Sequence, residues 1–278
     1  MTKPIATFSK QIVRPVIQAI IIVLLTISTL AIAFPAYSQE KSLTDLQTRA
    51  LVLNKQGKFS EAVKVAKEAL KAAEEEFGSD HPKTAASMSI LGLLYFSNGK
   101  YSDAEPLYLR ALKINTEALG EENLDVATDT DNLALLYQAQ GRYSDSIILY
   151  KQALQIKEKE LDPHHPSIAA TMNNLAALYY SRGMYKEAEP YFEQALSISE
   201  KNPGTDPDKM NTSLNILALV YQAQGKYDEV EPLLKKALAL SEKAHGQYNT
   251  AYATSLNNLA GLYKLQRKYS KSEQLYKR

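Results

Sequence analysis

The chain has 278 residues, 45% hydrophobic and 23% charged, within the ordinary range for a soluble globular protein. It has no cysteine, which rules out disulfides, thiolate zinc sites and cysteine nucleophiles. With 32 basic and 31 acidic residues, its net charge of +1 excludes the broad positive field of a typical nucleic-acid binder.

In chain order, the first element differs in kind from the rest. Lys3, Lys10 and Arg14 form a positive segment, and no acidic residue precedes Glu40. Val16 to Ala33 is then almost wholly apolar, and Ala36-Tyr37-Ser38 places small residues at the first and third of three positions. This pattern predicts a secretory signal peptide over residues 1–38, cleaved after Ser38. The apolar run exceeds the roughly 7–15 residues usual for such a segment, so an uncleaved N-terminal membrane anchor is the alternative. Both readings export the remainder, to the periplasm or the extracellular space. Cleavage would remove three cations and no anion, leaving a net charge of −2.

From residue 43 onward one motif recurs every 42 residues. Gly57-Lys58-Phe59, Gly99-Lys100-Tyr101, Gly141-Arg142-Tyr143, Gly183-Met184-Tyr185 and Gly225-Lys226-Tyr227 share the period, and Arg267-Lys268-Tyr269 keeps it with arginine in place of glycine. Before each turn, sets such as Leu133, Ala134, Leu136 and Tyr137 carry apolar residues at helical spacing. After each turn a second helical pattern holds Ala104 and Ala111-Leu112 or their equivalents, with an acid in its first turn that suits the helix dipole. Pro106, Pro190 and Pro232 are expected near the start of this second helix, where a missing N–H costs least. Breakers such as Gly78-Ser79-Asp80-His81-Pro82 and Asp162-Pro163-His164-His165-Pro166 close the units. No strand pattern follows residue 40. The prediction is an all-α array of helix pairs A and B over residues 43–278, about six units with the last truncated.

These residues resemble the tetratricopeptide repeat: Leu-Ala…Tyr in helix A, a Gly-x-Tyr turn, then Ala and Ala-Leu in helix B. The 42-residue unit is similar to the kinesin light chain type, as in Asn173-Asn174-Leu175-Ala176-Ala177-Leu178-Tyr179. The resemblance implies a right-handed α-solenoid whose A helices line a concave, peptide-binding groove. It also implies groove positions ten, nine, six and three residues before each turn. Ten before are Ser89, Asp131, Asn173, Asn215 and Asn257; nine before are Ile90, Asn132, Asn174, Ile216 and Asn258. Six before are Leu93, Leu135, Ala177, Leu219 and Gly261; three before are Phe96, Gln138, Tyr180, Gln222 and Lys264.

That set is amide and apolar, with only Asp131 and Lys264 charged, so binding there is expected to depend little on salt. The basic clamp of chaperone-binding relatives is absent. An amide has donors and an acceptor for the backbone of an extended peptide; the competing reading of the asparagines is local capping. No metal or cofactor site is expected. His81, His164 and His165 lie in breaker turns, and His164 and His165 are adjacent rather than at the i, i+4 spacing of helical ligands. No phosphate loop or nucleophile elbow is present. The expected partner is a protein or peptide rather than a nucleic acid, because the 18 tyrosines fall mostly at core and turn positions. A membrane tether is expected only through the N-terminal segment, and the oligomeric state stays open. The reading is a non-catalytic interaction scaffold, the alternative an accessory subunit of an envelope assembly that contacts partners through its open C-terminal end.

Overall fold

The computed structural model describes residues 43–202, 204 and 206–278. The signal or anchor segment expected over 1–38 lies outside these residues. Among the described residues every regular element is helical, and no helix is long and apolar enough to cross a membrane.

Helix α1 covers 43–55. It is followed by α2 (Phe59–Phe77), α3 (Pro82–Ser97), α4 (Tyr101–Leu119), α5 (Leu124–Ala139), α6 (Tyr143–Glu160) and α7 (Pro166–Ser181). Then come α8 (Tyr185–Lys201), α9 (Pro207–Ala223), α10 (Tyr227–His245), α11 (Thr250–Leu265) and α12 (Tyr269–Tyr276). Odd-numbered helices are the A helices and even-numbered ones the B helices. The chain divides into two compact units, Met1–Ser79 and Asp80–Arg278. The described part of the first is the pair α1/α2, where Leu43, Ala69 and Ala73 are buried together with Leu46 and Phe77 alongside.

In the second unit each A helix packs on the B helix that follows, and each B helix on the next A helix. The sequence dictates the A–B turn. Gly99, Gly141, Gly183 and Gly225 have φ between 72 and 78°, and the following amide bonds the tyrosine carbonyl five residues back, as in Lys100 N to Tyr95 O at 2.9 Å. This is a Schellman ending, and its left-handed residue favours glycine. Arg267 takes the same role at φ 58° despite its side chain.

The alanines of helix A, Ala134, Ala176, Ala218 and Ala260, are buried, as is Gly92 at the equivalent place. Their small size brings the B helix close: Ser146 Oγ donates to the Ala134 carbonyl at 2.7 Å, and Ser272 Oγ to that of Ala260 at 2.9 Å. At Gly92 a Cβ would stand 2.8 Å from the Tyr108 ring. His81 and His165 cap their A helices, each Nδ1 accepting a backbone N–H at 3.1 Å.

The prolines require a correction. Pro106, Pro190 and Pro232 lie inside α4, α8 and α10, at the sixth helical residue rather than in the first turn. All three are exposed, so the carbonyl that loses its N–H partner faces the solvent side of its helix.

One edge of the unit carries a repeated staple. The cation after the turn lies over the preceding A-helix tyrosine, Arg142 over Tyr137 at 3.5 Å and Lys268 over Tyr263 at 5.6 Å. The same cation pairs with an acid of the previous B helix: Arg142 with Glu105 at 3.0 Å, Lys226 with Glu189, and Lys268 with Glu231 at 3.8 Å. At the fourth turn both partners change together, to Met184 and Ile147.

Candidate binding face

Each junction between pairs is built round a polar node whose positions repeat with the sequence. At the first three nodes a residue ten before one turn meets the residue twelve before the next, and at the first two a B-helix residue sixteen after the turn completes the group. At the first node Ser89 Oγ donates to Asp129 Oδ1 at 2.7 Å and Asn115 Nδ2 to Asp129 Oδ2 at 2.7 Å. At the second the Lys157 ammonium reaches Asp131 Oδ2 at 2.5 Å and Thr171 Oγ1 at 2.9 Å, while Thr171 Oγ1 donates to Asp131 Oδ2 at 2.7 Å. At the third Ser213 Oγ lies 3.5 Å from Asn173 Oδ1.

The fourth node is an amide chain. Asn258 Nδ2 donates to Asn215 Oδ1 at 2.7 Å, and Asn215 Nδ2 to the Asn211 carbonyl at 2.9 Å. Asn211 Nδ2 in turn donates to the Ala237 carbonyl at 2.9 Å and to Ser255 Oγ at 3.2 Å.

Burial sets the charge behaviour of these nodes. Asp129 is held by two neutral donors, and its desolvation pushes the carboxyl above its usual range, with Asp125 adding repulsion. Desolvation also raises Asp131, against the opposing pull of Lys157. Tyr108 and Tyr150 are raised by burial first and by the adjacent Asp129 and Asp131 second. Asp129 and Asp131 are engaged as ties between repeats.

The predicted groove residues therefore separate. Ser89, Asp131, Asn173 and Asn215, ten before their turns, tie one A helix to the next, while Asn257 is exposed. Nine before, Asn132 is half-buried and Asn174 exposed, and neither has a side-chain partner among the described residues. Leu93 and Leu135 are half-buried, and Leu219 is exposed. Gln138 Oε1 accepts from the Tyr150 hydroxyl at 3.4 Å, and the Tyr180 ring tilts against Tyr185 at 5.5 Å.

One cavity of about 600 Å³ gathers Asn215, Leu219, Gln222, Asn257, Asn258 and Lys264, from α9 and α11. Asn173 opens onto a different cavity, with Ala170, Lys209 and Ser213. Asn132, Asn174, Leu93, Leu135, Gln138 and Tyr180 line neither. Among the described residues no group of three metal-ligating side chains is present.

The sequence reading did not single out Asp129, Asn115, Lys157, Asn211 or Ser255. Their signal was available by aligning the units: the place twelve before the turn always holds a hydroxyl or an acid, from Ser87 through Asp129, Thr171 and Ser213 to Ser255.

Antiparallel helix pairs on a 42-residue period, joined by Schellman turns and polar nodes, define a helical repeat protein. The tetratricopeptide repeat model matches residues 42–117, 91–159, 125–201 and 209–278, and the chain belongs to that family, with repeats of the kinesin light chain type. It is 28% identical to a structure from Podosopora anserina described as a kinesin light chain of nearly identical TPR-like repeats, covering 73% of this chain and 96% of that one at a TM-score of 0.61. It is 26% identical to BtubC (BKLC) from P. vanneervenii, covering 77% and 92% at a TM-score of 0.66. A Rap protein complexed with competence and sporulation factor is 17% identical, covering 84% and 72% at a TM-score of 0.59, which is a likeness of fold alone. No curated protein matches the sequence.

Proposed function

We propose that the protein is an exported, non-catalytic scaffold that holds an extended segment of a partner protein along the A helices of its second unit. The observation that carries this reading is the cavity between α9 and α11, lined by amides and by the exposed Leu219. Asn132 and Asn174 continue the amide set toward the N-terminal side, with side chains unengaged among the described residues. Peptides take such a face through backbone hydrogen bonds, to which side-chain amides offer both donor and acceptor.

The test is co-purification from the native envelope fraction with the wild-type chain and with Asn132→Ala/Asn174→Ala. Each amide bond to a partner contributes about 0.5–1.5 kcal/mol net, so the double variant is expected to bind roughly tenfold more weakly. Unchanged recovery of the same partner contradicts the reading. A second reading rests on Tyr276, which is 53% exposed at the C-terminal end and does not line the cavity between α9 and α11. In that reading the end, as a subunit contact, is the docking surface, and Tyr276→Ser abolishes recovery while Asn132→Ala/Asn174→Ala leaves it unchanged.

A further inference from the structure

The cavity between α9 and α11 reaches the sixth turn, where its wall gains Arg267 and Tyr269 beside Lys264. We propose that this end of the groove is an acid-reading subsite, which takes an Asp or Glu side chain of an extended partner segment; the proposal rests on the groove reading above.

Three observations converge on it. First, the lining holds two cations and no aspartate or glutamate. Second, the other cations of this region are engaged: Lys235 and Lys268 with Glu231, Lys277 with Glu273, Lys271 over Tyr263, and Arg278 with the Tyr252 hydroxyl. Lys264 and Arg267 have no such partner among the described residues. Third, Arg267 stands where five other turns have glycine, and it keeps the left-handed backbone at φ 58°. A side chain in that conformation is disfavoured, and such departures gather at binding sites.

A structural explanation covers only half of this. A lysine in the last turn of α11 suits the helix dipole, which accounts for Lys264. It does not account for an arginine beyond the helix, where glycine makes the same turn without strain. The guanidinium offers a planar fork that matches a carboxylate. Around it, Gln222 and Asn257 are placed for backbone groups and Leu219 for an apolar neighbour. The consequence is a salt dependence that the amide and apolar positions alone do not give.

The test screens the full chain, in mild detergent, against two random dodecapeptide libraries. One is acetylated and amidated, the other has a free C-terminal carboxylate. The wild type is expected to enrich Asp and Glu from the capped library, and Lys264→Gln/Arg267→Gly to lose that enrichment. The capped peptide selected by the wild type should bind Arg267→Gly several-fold, and the double variant at least about tenfold, more weakly. Arg267→Gly alone should meanwhile melt about 2–4 °C higher, because glycine relieves the turn. Weaker binding by a more stable protein is a combination that a purely structural Arg267 does not produce.

Capped peptides enriched without acidic residues would overturn the subsite and leave the groove reading standing. Binding only from the free-carboxylate library would overturn the side-chain source. An Arg267→Gly chain that melts lower would overturn the strain argument on which the subsite partly rests. No enrichment from either library would overturn the subsite and the groove reading together.

Discussion

Asp129 is a carboxylate held by two neutral donors and no cation, and its titration has a calculable consequence. Its folded pKa lies above its unfolded value, so the stability it contributes is fully present below the unfolded carboxylate pKa of about 3.9. That stability is lost as pH rises through the folded value. Asp129→Asn is expected to raise the melting temperature relative to wild type near pH 7, and the gain should shrink toward about pH 4. The substitution is sterically mild, since a flip of Asn115, whose buried Oδ1 has no partner, would supply the acceptor an amide needs. Equal destabilisation at both pH values in thermal melts would contradict this. Lys157 predicts the opposite pattern, because its ammonium is the counter-charge of the buried Asp131. Lys157→Met should cost about 3–5 kcal/mol at neutral pH by leaving that carboxylate unpaired, measured by denaturant unfolding.

At the scale of the helix, α12 is the weakest element of the second unit. It has eight residues, below the roughly 12–15 at which isolated helices become marginal, and only Ser272 within it is buried. Leu275, at the place held by Leu149 and Leu233 in earlier B helices, packs at the edge of the cluster formed by Val230, Leu234, Leu259 and Leu262. Because only Ser272 of α12 is buried, amide exchange is expected to be faster in 269–278 than in α5 to α8. Uniform protection to Arg278 in a monomer would contradict it. These helices were legible in the sequence because turn glycine, core alanine and tyrosine each repeat a local physical need at a fixed interval. The prolines were misplaced by the same logic: their spacing from the turn was known, but the helix starts at the tyrosine directly after it. The nodes were harder to read, since a hydroxyl at one position gains meaning only from its partner about forty residues away.

For the molecule as a whole, the binding face was less legible than the fold. Family position alone put Asp131, Asn173 and Asn215 in the groove, and bonds to the next repeat engage all three. On the A helices Asn174 and Leu219 are exposed and Asn132 and Leu135 half-buried, while Gln152 and Gln194 are exposed on B helices. A photo-crosslinking amino acid placed singly at Leu135, Leu219, Gln152, Gln194 or Tyr276 in the full chain, in its native host cells, tests the central claim most directly. Crosslinks to one partner segment from Leu135 and Leu219, with none from Gln152 or Gln194, are the predicted result. Crosslinks confined to Gln152 and Gln194, or to Tyr276, would contradict it.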